Sequence, residues 1–290
     1  MGPDFYEQTE TGKRIFDKAT ELMGFSMPQL CFEENDRLDI TEYTQAAMVT
    51  ASIAMMRVLE ENGIKPDVAA GLSLGEYCAL AAAGVMSDED AIRTVRQRGI
   101  LMQEAVPVGE GAMAAILALD ASAIEEVTGA MEGVWIANYN CPGQIVISGE
   151  KAAVEDACEK LKAAGAKRAV MLNVSGPFHS GMLADAGERL GEVLSQVELH
   201  EPQIPYVANV TAQYVKSAAE VKELLTRQVS SSVRWQQSVE AMIADGVDTF
   251  IEIGPGKTLA GFMRKISRDV KTLNVEKLED ISKVAEALKS

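Results

Sequence analysis

Gly71-Leu72-Ser73-Leu74-Gly75 follows the apolar run Val68-Ala69-Ala70 and precedes Glu76-Tyr77-Cys78-Ala79-Leu80-Ala81-Ala82-Ala83, a stretch of helix-favouring residues. The order reads strand, sharp turn, helix. Glycines two residues either side of a serine let the chain turn tightly and stand the hydroxyl at a helix N-terminus, where the dipole and free N–H groups favour an oxyanion. Ser73 is therefore the candidate nucleophile. The same pentapeptide also suits an N-capping serine in a glycine turn, so the rest of the chain has to decide.

A serine nucleophile needs a base, and the chain has only two histidines, His179 and His200. His200 lies in Val197-Glu198-Leu199-His200-Glu201-Pro202, an acidic lead-in to the expected strand Ile204-Pro205-Tyr206-Val207-Ala208-Asn209-Val210, and reads as a solvated loop residue. His179 lies in Asn173-Val174-Ser175-Gly176-Pro177-Phe178-His179-Ser180-Gly181-Met182, directly after the apolar run Ala169-Val170-Met171-Leu172. Loops just past a strand are where α/β folds hold catalytic groups, so His179 is the better base.

Hydrophobic periods set the organisation around these residues. From about 109 to 175 they read β-α-β-β-α-β: Ala112 to Leu119, a helix from Ser122 to Met131, Val134 to Asn138, Gln144 to Ser148, a helix from Ala152 to Ala164, then Arg168 to Asn173. That order is ferredoxin-like. The flanking regions alternate helices with short apolar strands, Thr249-Phe250-Ile251-Glu252-Ile253 among them, as in a parallel sheet covered on both faces. Gly254-Pro255-Gly256-Lys257-Thr258 is a turn after that strand, because a phosphate-binding loop needs four residues between its first glycine and the Gly-Lys pair.

Composition excludes several classes of function. The 290 residues, 47% hydrophobic and 24% charged, are enough for one large domain with a small one inserted. No apolar stretch reaches the roughly 18 residues of a membrane span, and no charged-then-apolar leader is visible. Cys31, Cys78, Cys141 and Cys158 show neither a C-x-x-C spacing nor a Cys/His metal spacing, so reduced thiols, a cytoplasmic location and no metal are expected. A net charge of −16 argues against a nucleic-acid partner.

The elements GLSLGEYCAL, RQRGILMQEAV, GAMAAIL, NYNCPGQIVISG, SGPFHSGML, VRWQQSV and IEIGPGKTLAGF occur in the order and approximate spacing of the malonyl-CoA:acyl carrier protein transacylases, which the chain resembles from about Tyr43 onward. The resemblance implies a large parallel-sheet α/β-hydrolase-like catalytic domain, residues 1–108 and 176–290, with residues 109–175 as the inserted ferredoxin-like subdomain. It implies malonyl transfer from malonyl-CoA, through a serine ester, to the phosphopantetheine thiol of acyl carrier protein in fatty acid biosynthesis, by a monomer without a cofactor. The family's nucleophile falls on Ser73, its histidine on His179 and its carboxylate-binding arginine on Arg98. A guanidinium fork grips a malonyl carboxylate bidentately, which distinguishes malonyl from acetyl. Gly99 and the apolar Ile100-Leu101-Met102 suggest that the helix is buried near Arg98, and Met102 is a further substrate-binding candidate. Phe178 falls where the family restricts room beside the acyl α-carbon. The family orients its histidine with a main-chain carbonyl, which falls on Gln228, and draws one oxyanion N–H from the residue after the nucleophile, here Leu74.

Several departures from the family pattern carry expectations. Ser232 stands where a proline commonly precedes Val-Arg-Trp, implying a looser loop; Leu72 replaces a common histidine; Ala46 replaces a common proline and should leave a helix start less defined. Met1-Gly2-Pro3-Asp4-Phe5-Tyr6-Glu7 looks like the segment that in the family follows an apolar strand and a Gly-Gln-Gly loop, whose glutamine supplies the second oxyanion donor. A chain without them is expected to be less stable and slower, since losing one donor costs about 10²–10³ in rate. Acyl carrier proteins are acidic, so docking calls for a local basic patch: Lys162, Lys167 and Arg168, or Lys257, Arg264, Lys265 and Arg268. The alternatives are a serine hydrolase such as a thioesterase, which has no need of Arg98, a catalytically weakened homologue lacking the N-terminal Gly-Gln-Gly strand-loop, and a non-catalytic interaction subunit.

Overall fold

The computed structural model describes residues 1–174 and 176–289; Ser175, which opens the SGPFHSGML stretch and closes the expected subdomain, and Ser290 lie outside the described residues. The first third of the chain is helical: α1 (Pro3–Gln8), α2 (Glu10–Met23), α3 (Met27–Phe32), α4 (Thr41–Glu61), α5 (Gly75–Ala82) and α6 (Asp88–Glu104). Thr9, Ser26 and Ser87 start α2, α3 and α6 by accepting main-chain N–H groups with their hydroxyls, each cap worth about 1 kcal/mol. Helix α4 is apolar almost all round, with Ala46, Ala47, Val49, Ala51, Ile53, Ala54 and Met55 fully buried. Such a helix belongs in a core. Ala46 therefore sits inside α4 rather than at its start, and the expected effect on a helix start does not arise.

Helix α6 crosses α4 so closely that a Cβ on Gly99 would lie 2.6 Å from the Glu42 Cα. That approach carries the neighbouring Arg98 into the interior, where it is 1% exposed.

The middle of the chain forms β1 (Gly111–Leu117), α7 (Ala121–Gly129), β2 (Val134–Cys141), β3 (Gln144–Glu150), α8 (Lys151–Ala163) and β4 (Arg168–Met171). The sheet order is β2-β3-β1-β4 with every neighbouring pair antiparallel, the ferredoxin-like arrangement. Side chains alternate as a pleated strand requires. Ala114, Ile116, Ile145 and Ile147 pack with Ile124, Val154 and Leu161 of the two helices, whereas Met113, Ala137 and Val146 form the opposite face, which receives Phe178.

The chain then continues through α9 (Ala184–Leu194), α10 (Ala218–Gln228), α11 (Trp235–Ala244), β5 (Thr249–Ile253), α12 (Thr258–Ile266), β6 (Lys271–Val275) and α13 (Asp280–Ala287). Strands β5 and β6 pair in parallel. The expected strands at 68–70 and 204–210 are reduced to isolated bridges: a parallel one between Ala69 and Tyr206, held by Ala69 N–H to Pro205 O (3.0 Å) and Val207 N–H to Ala69 O (3.1 Å), and an antiparallel one between Val207 and Tyr214. Pro205 has no N–H to extend the ladder, and beyond Ala69 the Asn209 side chain takes the Gly71 carbonyl that a strand partner would need. Gly254 and Gly256 have φ of 138° and 92° and turn the chain from β5 into α12, whose first N–H groups at Leu259 and Ala260 donate to the Glu252 carboxylate.

Among the described residues no strand pairs with the edge of β5 away from β6, and all five of its residues are only half-buried.

Candidate active site

The turn at Ser73 is built by its neighbours. Ser73 has φ of 54°, a left-handed conformation that costs energy in a non-glycine residue and marks functional turns. At position 71 only glycine fits, since a Cβ would lie 1.9 Å from the Gly75 carbonyl oxygen; around Gly75 there is open space, so one of the two glycines is demanded by contact. Asn209 staples the turn, accepting from Ser73 N–H with Oδ1 (2.6 Å) and donating from Nδ2 to Gly71 O (2.6 Å). The Leu74 N–H, at the N-cap of α5, donates to no group among the described residues and is open to an oxyanion.

His179 follows β4 in a turn of its own, with φ of 59° and Ser180 Oγ donating to Pro177 O (2.6 Å). Its Nε2 lies 2.7 Å from Ser73 Oγ and its Nδ1 lies 2.8 Å from Gln228 O. A carbonyl oxygen can only accept, so Nδ1 carries the proton and Nε2 turns its lone pair to the serine hydroxyl. Among the described residues no carboxylate bonds to the ring. Burial first, and then the Arg98 charge, push the imidazole down from 6.5 to about 4.

The ring is therefore neutral over the whole mildly acidic range. Malonyl labelling of the chain is expected to proceed at pH 5.5 nearly as fast as at pH 7.5 and to fall only as pH drops through about 4, where the base becomes protonated. Rapid-quench labelling across pH 4 to 8 checks this; a half-maximal rate near 6.5 would mean an imidazole open to water.

Arg98 donates from Nη1 to Gln45 Oε1 (2.5 Å) and from Nη2 to both Ser73 Oγ (3.0 Å) and Gln228 Oε1 (3.0 Å). Among the described residues its Nε has no hydrogen-bond partner, and no carboxylate pairs with it directly. Burial lowers its pKa, opposed by Tyr77 and Glu76, yet a guanidinium stays charged in proteins. A buried cation held by amides, a hydroxyl and the Tyr77 ring, whose centroid lies 6.0 Å from its Cζ, is costly unless an anion arrives. Gln45 is braced in turn, its Nε2 lying 3.1 Å from Thr41 Oγ1 and 3.7 Å from the sulfur of Met102. Gln228 Nε2 donates to Ser73 O (3.0 Å) and to Glu76 Oε2 (2.7 Å). Burial pushes the Glu76 carboxyl up to about 7, against hydrogen bonds from Gln228 and Asn209 and the charge of Arg98.

Ser73, His179, Arg98 and Gln228 thus meet at one point, with Leu74 beside them. Phe178 is half-buried next to His179, between the opposite face of the β1–β4 sheet and the main core. Met102 is buried, its sulfur against the amide of Gln45, the residue whose Oε1 accepts from Arg98. His200 lies far out, its side chain 58% exposed. The loop at Ser232 is tied down instead of loose: Ser232 Oγ donates to Ile136 O, Val233 N–H to Ala137 O (2.8 Å) and Tyr139 N–H to Val233 O (2.9 Å). Sequence reading missed Gln45, Asn209 and Glu76. Asn209, the polar residue closing an apolar run, and Glu76, the one charge on an otherwise apolar helix, were the available signals.

A family model described as "Acyl transferase domain" matches residues 1–283. The malonyl CoA-acyl carrier protein transacylase of Bacillus subtilis (strain 168) is 48% identical, over 100% of this chain and 93% of the relative. The chain belongs to this transacylase family. The solved transacylase of Clostridium perfringens superposes with a TM-score of 0.96 at 41% identity, covering 100% of this chain and 92% of that one. Another solved transacylase, in complex with a type II PKS acyl-carrier protein, gives 0.94 at 39% identity over 98% and 94% of the two chains. The transacylase fold therefore extends across both the helical layer and the β1–β4 sheet that flank Ser73 and His179.

Proposed function

We propose that this chain moves a malonyl group from malonyl-CoA to acyl carrier protein by a ping-pong reaction on Ser73. The observation that carries the reading is the convergence on one serine hydroxyl of an unprotonated imidazole nitrogen at 2.7 Å and a guanidinium nitrogen at 3.0 Å. His179 Nε2 takes the Ser73 proton as Oγ attacks the thioester carbonyl, and Leu74 N–H donates to the oxyanion. The oxyanion collapses, the C–S bond breaks, and the imidazolium returns its proton to the CoA thiolate. The malonyl-serine ester then waits with its carboxylate on Arg98. In the second half His179 takes the proton of the carrier's phosphopantetheine thiol as the sulfur attacks the ester, then returns it to Ser73 Oγ. Gln228 O holds the imidazole tautomer and stabilises the imidazolium, taking the place of an acidic triad member.

The chain is an acyltransferase of fatty acid biosynthesis, and acyl carrier protein is its partner. Residues 1–108 and 176–290 act as the catalytic domain and 109–175 as a subdomain that covers the cleft, with Phe178 limiting bulk beside the acyl α-carbon. The carrier docks on a basic surface: Lys162, Lys167 and Arg168 are exposed, as are Lys257, Arg264, Lys265 and Arg268. No cofactor takes part in these steps. Among the described residues no His/Cys/Asp/Glu cluster suits a metal, and no helix is long and apolar enough to cross a membrane. With four free cysteines, a monomer working in the cytoplasm is the proposed state. Incubation with radiolabelled malonyl-CoA, followed by intact-mass measurement, tests the reading. A stable mass increase of one malonyl group that passes to added holo acyl carrier protein is expected. Release of free malonate without a carrier would favour a hydrolase, and no adduct at all a non-catalytic subunit.

A further inference from the structure

Glu76 lies in the first turn of α5, three residues past Ser73, and is 1% exposed. Among the described residues it is the one buried acid and Arg98 the one buried guanidinium or ammonium group, yet no ion pair joins them. The Gln228 side chain stands between the two. Its Oε1 faces Arg98 and its Nε2 faces Glu76 Oε2 and Ser73 O. The same Glu76 oxygen accepts from the Asn209 N–H (3.2 Å), and Asn209 is the residue that staples Gly71 and Ser73.

We propose that Glu76 is the positioning residue of this site. One carboxylate oxygen ties the Asn209 arm, which holds the serine turn, to the Gln228 arm, which holds Arg98 and, through its main chain, His179. The inference rests on the roles given above to Ser73, His179 and Arg98. An acid bonded directly to Arg98 would occupy the guanidinium fork bidentately and close it to a substrate carboxylate. A residue at 76 with no oxygen to offer would leave the Asn209 N–H and the Gln228 Nε2 without their shared acceptor. An amide placed between acid and guanidinium meets both demands: both arms keep their acceptor, and no carboxylate occupies the guanidinium. The amide orientation is fixed as well, because Nε2 must point to the two acceptors and Oε1 to the donor.

The readout is the ratio of malonyl to acetyl labelling at Ser73 when the chain is offered each acyl-CoA in turn. That ratio is blind to how much of a preparation is folded, since both labels report on the same folded fraction. A merely structural role lowers both labels together. Glu76→Leu is expected to lower the ratio by about tenfold or more, the worth of one hydrogen bond to a charged group, while Glu76→Gln, which keeps an oxygen for both arms, stays within about threefold of the parent. A parental ratio in Glu76→Leu overturns the proposal. Should Glu76→Leu give no folded protein, Glu76→Asp is read the same way: its carboxylate is one methylene short of both arms, and a parental ratio there overturns the proposal equally. Failure of the unaltered chain to take label at Ser73 is a different outcome, which overturns the acyl-transfer reading itself and this role with it.

Discussion

Ser73→Ala is expected to abolish malonyl labelling, with no adduct by intact mass and no labelled peptide after digestion. The argument is geometric. The Ser73 hydroxyl is the one that meets the unprotonated Nε2 of the buried histidine, at 2.7 Å, beside the open Leu74 N–H. The substitution removes only Oγ from a turn whose main chain is held by Asn209 through Ser73 N and Gly71 O, so the fold survives it. Loss of label with an unchanged melting curve is the expected pair of results; full labelling, or label on another residue, would move the nucleophile elsewhere. His179→Ala is expected to slow acylation by roughly 10²–10⁴, the usual worth of a general base. An unchanged rate in that variant would shift the role to His200, whose exposed ring no element brings toward the serine.

How much of this was legible in the sequence depended on the distance over which each constraint acts. The βαββαβ run was readable because period-2 and period-3.6 patterns are local; β1 begins at Gly111 and β4 at Arg168, within a residue of expectation. The strands around Ala69 and Tyr206 were overcalled, because an apolar run does not show that Pro205 lacks a donor for the ladder or that Asn209 takes over the carbonyl beyond it. Ala46 was misplaced for a related reason: the start of α4 is set at Ile40 and Thr41, several residues earlier.

The site divides in the same way. Ser73 announces itself through its turn, and His179 through the scarcity of histidines. Arg98, Gln228 and Leu74 came from resemblance to the family, since the only local hint setting Arg98 apart from Arg93 and Arg96 on the same helix is the apolar Gly99-Ile100-Leu101-Met102 that follows it. What does separate them is burial, and burial here depends on Gly99 meeting Glu42 across two helices. Gln45, Asn209 and Glu76 were not legible at all as partners. Asn209 and Glu76 are 133 residues apart in the chain, and a hydrogen bond between such residues leaves no periodic trace in either segment.

Arg98→Ala is expected to cut malonyl transfer by roughly 10–100-fold, the worth of a pair of charge-assisted hydrogen bonds, while acetyl transfer stays within about threefold or rises. The asymmetry is the informative part. Acetyl has no carboxylate, so it gains nothing from a guanidinium; malonyl brings an anion to a buried cation that has amides and a hydroxyl around it but no acid in contact. Part of any loss comes from the orphaned acceptors on Gln45 and Gln228, and that part falls on both acyl groups alike. The ratio of kcat/KM for the two substrates therefore isolates the carboxylate contact. Arg98→Lys sharpens the test, because an ammonium keeps the charge but loses the fork: malonyl preference should recover only partly. Equal losses for malonyl and acetyl in Arg98→Ala would make Arg98 a structural strut between Gln45 and Gln228. The carboxylate specificity would then have to come from another cation, and among the described residues none is buried at this site.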